Sequence, residues 1–426
     1  MTNTATFEKA ESFCVVLFAL SVFIWKPGIY VSCGLISLYL IVRVGMDEDY
    51  RRMLLASRFA KLSLLVFVLG LVTASLGADD YLDVGWMARK TLFIPAVIFL
   101  VFALKRQLNQ QVAMTALVVS FWLATVFTLW QYDWQMQFGE RMEGPWPQGT
   151  WDSLLGLFFP FMMLYMGRNE LTRATLTVYL ATTAMAFVML LLAGGRAPWL
   201  ASFIGLVLYF LVFKRKREVL LGLVAIAVVA VGLGLTVFTD KTRPLIDRVT
   251  TITDTTTNES NWVRLQLWNI GIQQFADSAQ HDPMAIAFGG GALSYDAKQI
   301  EFFETMPYDP EDRQRLKTYG FPTGDTHNTY LDNALRHGVI WTVIMLLYLV
   351  GLCTEFKWRY IKQNPEPTML LIGLLVIGMF YTVVPHFATF FFVLFVALLR
   401  NKQPFHAGLQ PIKAGAKQTK GDHGTP

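Results

Sequence analysis

Runs of apolar residues recur along almost the whole chain and are separated by mostly short polar stretches. Several runs are shorter than the ~20 residues that a perpendicular membrane span requires, so we expect their helices to extend into the polar flanks. The pattern predicts an all-α polytopic membrane protein with about twelve transmembrane helices, at 12–26, 29–44, 62–78, 91–104, 112–131, 151–167, 175–193, 199–213, 219–238, 339–353, 368–384 and 387–400.

One long polar segment, from about residue 239 to 338, separates the ninth predicted helix from the tenth. Part of it has apolar residues spaced three or four apart, which indicates an amphipathic helix that lies on the membrane or caps the bundle: Trp262, Leu265, Trp268, Ile272 and Phe275. The glycines at 289–291 end this pattern. We expect residues 295–324 to be mainly loop with short helical pieces.

The chain is thereby divided into four parts. Residues 1–238 hold the first nine transmembrane helices, and residues 239–338 form the long segment, which we expect to carry part of the active site because it contains two of the three residues considered below as candidates for chemistry. Residues 339–400 hold the last three helices. Residues 401–426 are rich in Gly, Lys and Pro, which predicts a disordered tail.

Composition and charge give this membrane protein an orientation. The chain is 54% hydrophobic and only 16% charged, which is too apolar for an ordinary soluble protein. Most Lys and Arg residues fall in loops that share a side with the N-terminus, whereas the short loops opposite hold few: Lys26, Arg89, Lys90, Arg141 and Arg196. The positive-inside rule then predicts that both termini are cytoplasmic and that the long segment is periplasmic.

Several classes of site are not expected. The three cysteines all lie inside apolar runs, which is typical of small buried hydrophobic residues and not of a disulfide framework. No pair of histidines has metal-ligand spacing, and no Gly-rich phosphate loop is present. We therefore expect no metal, no cofactor and no nucleic acid, and a lipid bilayer as one partner.

Arg196 is the first candidate for chemistry. It lies between two apolar runs with almost no loop, in Gly194-Gly195-Arg196-Ala197-Pro198. A guanidinium at that depth is costly unless it meets an anion or lines a wet cavity. Arginine is suited to gripping a diphosphate with two hydrogen bonds, although a side chain that reaches lipid phosphate at the interface is the alternative.

His327 is the second candidate, and Arg264 is the third. Asp325 or Thr326 could cap a helix that begins near residue 327, whose positive N-terminus would favour a neutral imidazole able to accept a proton. Asp325 could instead orient the ring or raise the pKa of the imidazole. A surface histidine and a solvated arginine on an amphipathic helix remain the simpler alternatives.

The predicted topology places all three candidates on one side of the membrane. Two fixed cations and one neutral base suit a reaction with an anionic leaving group and a hydroxyl nucleophile.

At these residues the chain resembles the O-antigen ligase family and the related O-antigen polymerases. The resemblance extends over about residues 140 to 350 and rests on three segments. These are Gly195-Arg196-Ala197-Pro198-Trp199-Leu200, Arg264-x3-Trp268 with Pro283 and Gly289-x-Gly291 after it, and His327-Asn328-x9-Gly338.

The resemblance implies a GT-C-like, metal-independent and inverting glycosyltransferase. Its donor would be a glycan linked to undecaprenyl diphosphate, and its acceptor a sugar hydroxyl of lipid A-core. Arg196 and Arg264 would hold the diphosphate, and His327 would accept the proton of the hydroxyl. Asn328 would support a sugar or the helix cap.

Three alternatives stay open from sequence. O-antigen polymerisation and transfer to a protein hydroxyl use the same chemistry with another acceptor. A transporter of lipid-linked sugars would use the arginines but would need no base.

Overall fold

The structure is a computed structural model that describes most of the chain, namely residues 2–77, 80–134, 141–169, 171–213, 258–291, 293–318, 325–384 and 387–401. These residues form helices and no β-strand. In chain order the helices are α1 (Thr2–Ile24), α2 (Lys26–Met46), α3 (Glu48–Ala56), α4 (Arg58–Gly77), α5 (Tyr81–Lys90), α6 (Phe93–Ala103), α7 (Gln107–Gln131), α8 (Gln148–Arg168), α9 (Arg173–Ala193), α10 (Arg196–Phe213), α11 (Glu259–His281), α12 (Pro283–Phe288), α13 (Ser294–Thr305), α14 (Pro310–Thr318), α15 (Thr329–Thr354), α16 (Trp358–Gln363), α17 (Pro365–Gly378) and α18 (Phe387–Arg400).

Six helical segments of the described chain are long and apolar enough to cross a membrane, and three shorter apolar helices accompany them. The predicted class, an all-α multi-pass membrane protein, is thereby confirmed. The number twelve stays a prediction, because the ninth predicted helix at 219–238 lies outside the described residues, as does the predicted disordered tail from residue 402 onward. The division into four parts also stays a prediction.

Two helices, α3 and α5, occupy segments outside the predicted transmembrane helices, where charged residues had indicated loops. The loop after α2 contains α3, which Asp47 caps by accepting a hydrogen bond from the backbone N–H of Tyr50 at 2.9 Å. The helix predicted at 91–104 is extended at its N-terminal side by α5, and a break at residues 91–92 separates α5 from α6. Charged residues can occupy helices when caps and ion pairs satisfy them, which hydropathy alone does not register.

The core of the bundle is built around α8 and α18, whose side chains are almost all buried. Aromatic rings join the two helices: the ring centres of Phe161 and Phe395 are 4.5 Å apart and nearly parallel. Phe158 continues this contact to Phe23 of α1, with ring centres 4.8 Å apart. Such offset and edge contacts contribute beyond the burial of area alone.

Hydrogen bonds and ion pairs connect the helix ends that the sequence analysis assigned to one side of the membrane. Glu11 of α1 accepts hydrogen bonds from Arg43 at the end of α2 and Asn109 at the start of α7, each 2.8 Å long. Arg168 at the end of α8 and Glu366 at the start of α17 form a fully buried ion pair of 2.9 Å. Because α8 begins at Gln148, its N-terminal residues lie at the opposite end of the bundle, which is where the candidate site forms.

The segment after α11 packs into a kink in α15. Gly338 lies inside α15 with a φ of 82°, and the backbone of Ala287 in α12 lies directly against it. Gly289 has a φ of 97° and lies against the backbone of Arg336, while the N–H of Gly290 donates to the carbonyl of Leu335 at 2.8 Å. Two left-handed glycines therefore allow the two backbones to approach closely.

We expect Gly338→Ala to destabilise the folded protein markedly. A non-glycine residue in the left-handed region costs about 1–3 kcal/mol, and the added methyl group would meet the backbones of Ala287 and Phe288. The thermal unfolding temperature of the purified protein measures the effect. Gly34→Ala in α2 is the control, since nothing lies within 4 Å of the methyl group there. Equal unfolding temperatures for the two variants would contradict the expectation.

Candidate functional site

Arg196 begins α10 immediately after a tight turn. Gly194 ends α9 in the left-handed conformation with a φ of 74°, and Gly195 lies against the carboxylate of the buried Asp152 with no room for a side chain. The indole N–H of Trp199 donates to the carbonyl of Leu190 at 2.7 Å and fixes the angle between the two helices. The Gly-Gly-Arg sequence therefore places a guanidinium at the end of the bundle.

Arg264 lies on α11, which confirms the helix predicted from the spacing of Trp262 to Phe275. The Nη1 atom of Arg196 donates to the amide oxygen of Asn261, one turn before Arg264, at 3.5 Å. The guanidinium of Arg264 lies 5.5 Å from the ring centre of Tyr381. Within the described part of the chain, its buried Nε atom has no hydrogen-bond partner, so donor capacity remains for an anion.

His327 lies just before α15 with a left-handed φ of 51°. Its backbone N–H donates to one oxygen of Asp325 at 2.7 Å, and its Nδ1 atom lies 3.4 Å from the other oxygen. Thr382 donates its hydroxyl to the same carboxylate. Burial would raise the pKa of Asp325, but the hydrogen bonds and charge of His327 and the bond from Thr382 hold it well below its usual value.

This geometry favours one tautomer of the ring. An ionised carboxylate facing Nδ1 favours a proton on that atom, which leaves Nε2 free to accept one. The structure therefore places Asp325 in contact with the ring, as the predicted partnership requires.

Of the residues predicted to support the helix cap, Asn328 is the one that does so. Neither Asp325 nor Thr326 caps α15; instead the side chain of Asn328 accepts hydrogen bonds from the backbone N–H groups of Tyr330 and Leu331, at 3.0 and 3.1 Å. The reason is that Asp325 is already engaged by His327 and Thr382. The amide nitrogen of Asn328 donates to the carbonyl of Met379 at 3.3 Å, so this residue joins α15 to the end of α17.

Two adjoining cavities bring the three candidates together. A cavity of about 630 Å³ is lined by His327 and Arg264, and one of about 440 Å³ by Arg196 and Arg264. Five residues line both cavities, namely Arg141, Glu259, Ser260, Arg264 and Tyr381. Two of these five residues are arginines and one, the exposed Glu259, is an acid, so basic side chains outnumber acidic ones in the shared wall.

Arg141 was counted among the charges of this side but not recognised as a site residue. The backbone N–H of Met142 donates to the carbonyl of Leu192 at 3.1 Å, which attaches the segment to the end of α9. With its amide oxygen turned toward Arg141, Gln148 accepts from Nη1 and Nε at 3.1 Å each. Arg141 lies far from the other motifs in sequence and belongs to no recognisable pattern, so only the fold shows its place.

Tyr381 was also missed, because the sequence predicted helix as far as residue 384. In the structure α17 ends at Gly378. The hydroxyl of Thr329 forms hydrogen bonds with the backbone that follows. It donates to the carbonyl of Tyr381 at 2.8 Å and accepts from the N–H of Val383 at 2.7 Å. Residues 379–384 are thereby held outside a helix and form part of the cavity wall.

The described residues contain no group of three or more His, Cys, Asp or Glu side chains that could hold a metal ion. The cations at the site are guanidinium groups. That the reaction needs no metal stays a prediction.

The fold and the cavity define a multi-pass membrane protein whose polar site is rich in arginine and contains one oriented histidine. Residues 181–346 match a family model described as O-Antigen ligase. These residues belong to the O-antigen ligase family, which confirms the resemblance that the motifs indicated. No curated protein matches the chain.

The matched range includes Arg196, Arg264, His327 and Gly338 and ends within α15. This match supports, in general terms, an enzyme of the O-antigen ligase or polymerase type, which is glycosyltransferase-like in its chemistry. A lipid-linked glycan and the bilayer are the partners that the family implies in general.

Proposed function

We propose that the protein is an O-antigen ligase of a bacterial inner membrane. It transfers a glycan from undecaprenyl diphosphate to a sugar hydroxyl of lipid A-core on the periplasmic face, with both termini in the cytoplasm. The observation that carries this proposal is the pair of adjoining cavities, in which Arg196, Arg264 and His327 come together from three distant parts of the chain.

The proposed step needs one base and several cations. Nε2 of His327 removes the proton of the acceptor hydroxyl as its oxygen bonds to the anomeric carbon of the donor sugar. The bond between that carbon and the diphosphate oxygen breaks, and the electron pair leaves with the diphosphate. A single displacement of this kind inverts the anomeric configuration.

The arginines stabilise the charge that develops on the leaving group. Guanidinium groups bind phosphate oxygens through paired hydrogen bonds, and fixed cations in a water-poor site favour a developing negative charge strongly. Arg264 is placed to act on the reacting diphosphate, since it lines the same cavity as His327. Arg196 lines only the adjoining cavity and binds the rest of the diphosphate, together with Arg141, which lines both cavities.

A reconstituted transfer assay tests the proposal. Purified protein is mixed with undecaprenyl-diphosphate-linked glycan and lipid A-core, without ATP or added metal, and the products are separated on a gel. We expect glycan-bearing lipid A-core. Elongated lipid-linked glycan without transfer to lipid A-core would instead identify a polymerase, and no covalent product would favour a transporter.

Deletion of the gene in the native bacterium separates the same alternatives in cells. Loss of a ligase leaves lipid-linked polymer and bare lipid A-core. Lipid A-core that carries a single repeat unit would contradict the proposal and indicate a polymerase.

We expect Asp325→Asn to lower kcat by roughly 10–100-fold, as is usual when a residue that orients a functional histidine is replaced, with little change in the KM of the donor. Because the pKa of Asp325 is lowered, its carboxylate is ionised at every working pH. The stability that it contributes is complete above about pH 4 and is lost only as the pH falls further.

The pH profile provides the control for Asp325. The pH–activity profile of wild type should show no change caused by titration of Asp325 above about pH 4. Thr382→Val removes one hydrogen bond to the same carboxylate and should have a smaller effect in the same direction. Unchanged kcat in Asp325→Asn would remove this residue from the mechanism.

A further inference from the structure

A third cavity lies in the long segment, apart from the two cavities of the proposed reaction site. It has a volume of about 320 Å³ and lies between α11, α12 and α13. Gln274 and Asp277 line it from α11, Tyr295 and Glu301 from α13, and Leu335 from α15. Among the described residues, none that lines this cavity lines either of the other two. The long segment therefore has a recess of its own.

A chain of hydrogen bonds holds the amide group of Gln274 in place at this cavity. The side-chain nitrogen of the fully buried Gln299 donates to the hydroxyl of Tyr295 at 3.1 Å, and this hydroxyl donates to the amide oxygen of Gln274 at 3.1 Å. Gln274 is 6% exposed, and its amide nitrogen has no hydrogen-bond partner within the described residues. An amide nitrogen carries two donor hydrogens. A fixed and largely buried donor is therefore left for a ligand in the cavity.

The rest of the cavity wall supplies acceptors and an excess of negative charge. Three acids line the cavity, namely Asp277, Asp282 and Glu301, against one basic residue, Lys298. The ammonium group of Lys298 donates to the carbonyl of Gly290 at 2.8 Å. An anionic ligand would be repelled by this wall, whereas a neutral or positively charged ligand would not. In charge the cavity is thus the opposite of the arginine-lined cavities.

Donors, acceptors and an apolar surface together suit a sugar. A sugar hydroxyl both donates and accepts hydrogen bonds, so it requires groups of both kinds in the wall. The half-buried side chains of Phe302 and Ile286 give the cavity an apolar part, and small-molecule sites typically combine such a surface with a few fixed polar groups. The excess of acids disfavours phosphorylated and acidic sugars and favours neutral or amino sugars.

α11 connects this cavity to the reaction site. Arg264 lines the cavity that contains His327. Gln274 follows Arg264 on the same helix at a distance of about 15 Å along the axis, at ~1.5 Å per residue. A single sugar held at the diphosphate would not reach across this distance, whereas a chain of several sugars would.

We propose that this cavity binds sugar units of the donor glycan that lie several units away from the diphosphate. The inference rests on the proposed function, in which a lipid-linked glycan is the donor. The amide nitrogen of Gln274 donates to one sugar hydroxyl, and the carboxylates of Asp277 and Glu301 accept from others. The consequence is a preference for long glycans, because only these extend from the reaction site to the cavity.

The length of the glycan is varied to test this. Donor KM is measured in the transfer assay with undecaprenyl diphosphate that carries either one repeat unit or a long polymer of the same unit. We expect the donor KM of wild type to be about tenfold lower for the long donor, since the net gain from one or two hydrogen bonds is of that order. Gln274→Met should abolish this preference and leave the KM of the short donor unchanged.

Two further variants separate loss of binding from loss of folding. Glu301 is exposed, so Glu301→Gln should keep the fold and reduce the preference for the long donor to about threefold, because a neutral acceptor replaces a charged one. Gln273→Met is the matched control, since Gln273 is the exposed neighbour of Gln274 on α11 and does not line the cavity. This control should keep the full preference.

Binding is also measured without turnover. Purified protein is titrated with the polysaccharide that mild acid releases from the lipopolysaccharide of the native bacterium. We expect wild type to bind it, and Gln274→Met to bind it about tenfold more weakly. Dextran, a neutral polysaccharide of a different sugar sequence, is the comparison ligand and should compete poorly.

Four results would overturn the inference. They are equal donor KM for the two lengths in wild type, an equal rise of both values in Gln274→Met, loss of the preference in Gln273→Met, and a change in the acceptor KM alone. The second would indicate a structural role for Gln274, and the last would assign the cavity to the sugars of the acceptor. Failure of the proposed function would look different, because wild type would then transfer no glycan to lipid A-core while still binding the released polysaccharide.

Discussion

Replacement of His327 by alanine should lower kcat for glycan transfer by roughly 10²–10⁴-fold, the usual contribution of a positioned general base. The donor should still bind, because the arginines that we assign to the diphosphate are untouched. Asp325 lies beside Nδ1 of His327, Thr382 donates to Asp325, and His327 lines the cavity, so we expect Nε2 to be the atom that accepts the proton. Loss of that nitrogen leaves no described histidine in the cavity wall to accept the proton.

Backbone strain complicates the alanine variant, so a second variant is needed. His327 has a φ of 51°, and asparagine adopts this region more readily than alanine does. His327→Asn therefore keeps the backbone but removes the base, and should be as inactive as His327→Ala. His281→Ala is the control, since His281 is exposed at the end of α11 and 3.1 Å from Asp277. Activity near wild type in His327→Asn would exclude His327 as the base and leave it, at most, a positioning role.

The class of fold was predictable because each spanning helix must satisfy its own backbone and present apolar residues to lipid. That requirement leaves a strong local signal in the sequence. Helices such as α3 and α5 carry charge and were missed or cut short, because their stability depends on a cap at Asp47 or Asp80 and on neighbours rather than on hydropathy. The end of α17 depended on Thr329, a residue about 50 positions away.

The candidate site was predictable only in part, for a related reason. Arg196, Arg264 and His327 belong to short motifs, and the structure also explains the last glycine of one motif. Gly338 is required where α12 packs against α15, which is a structural role and not a catalytic one. Arg141 and Tyr381 carry no motif, and they reach the site only through contacts between distant segments.

Arg264→Ala and Arg196→Ala should both impair use of the donor, but in different ways. Arg264 lines the cavity with His327 as well as the adjoining one, so its guanidinium should act on charge that develops in the transition state. Removing one such donor costs roughly 10²–10³-fold in kcat. Arg196 lines only the adjoining cavity and should contribute to ground-state binding, so its loss should mainly raise the donor KM.

Conservative variants sharpen the comparison. Lysine keeps the charge but cannot form the paired hydrogen bonds of a guanidinium, so Arg264→Lys should recover only a small part of kcat. Arg52→Ala on α3 is the control, because that side chain is 73% exposed and pairs only with Glu48 among the described residues. Initial rates are measured over a range of donor concentrations at saturating acceptor.

The split between kcat and KM decides whether the two arginines have separate roles. If both variants changed only the donor KM, the arginines would bind the diphosphate equally before and during the reaction, and leaving-group stabilisation would need another source. Arg141 is then the next candidate, since it lines both cavities. Normal donor binding and turnover in both variants would instead contradict the assignment of the diphosphate to this site, because neither of the two arginines predicted to hold it would then be needed.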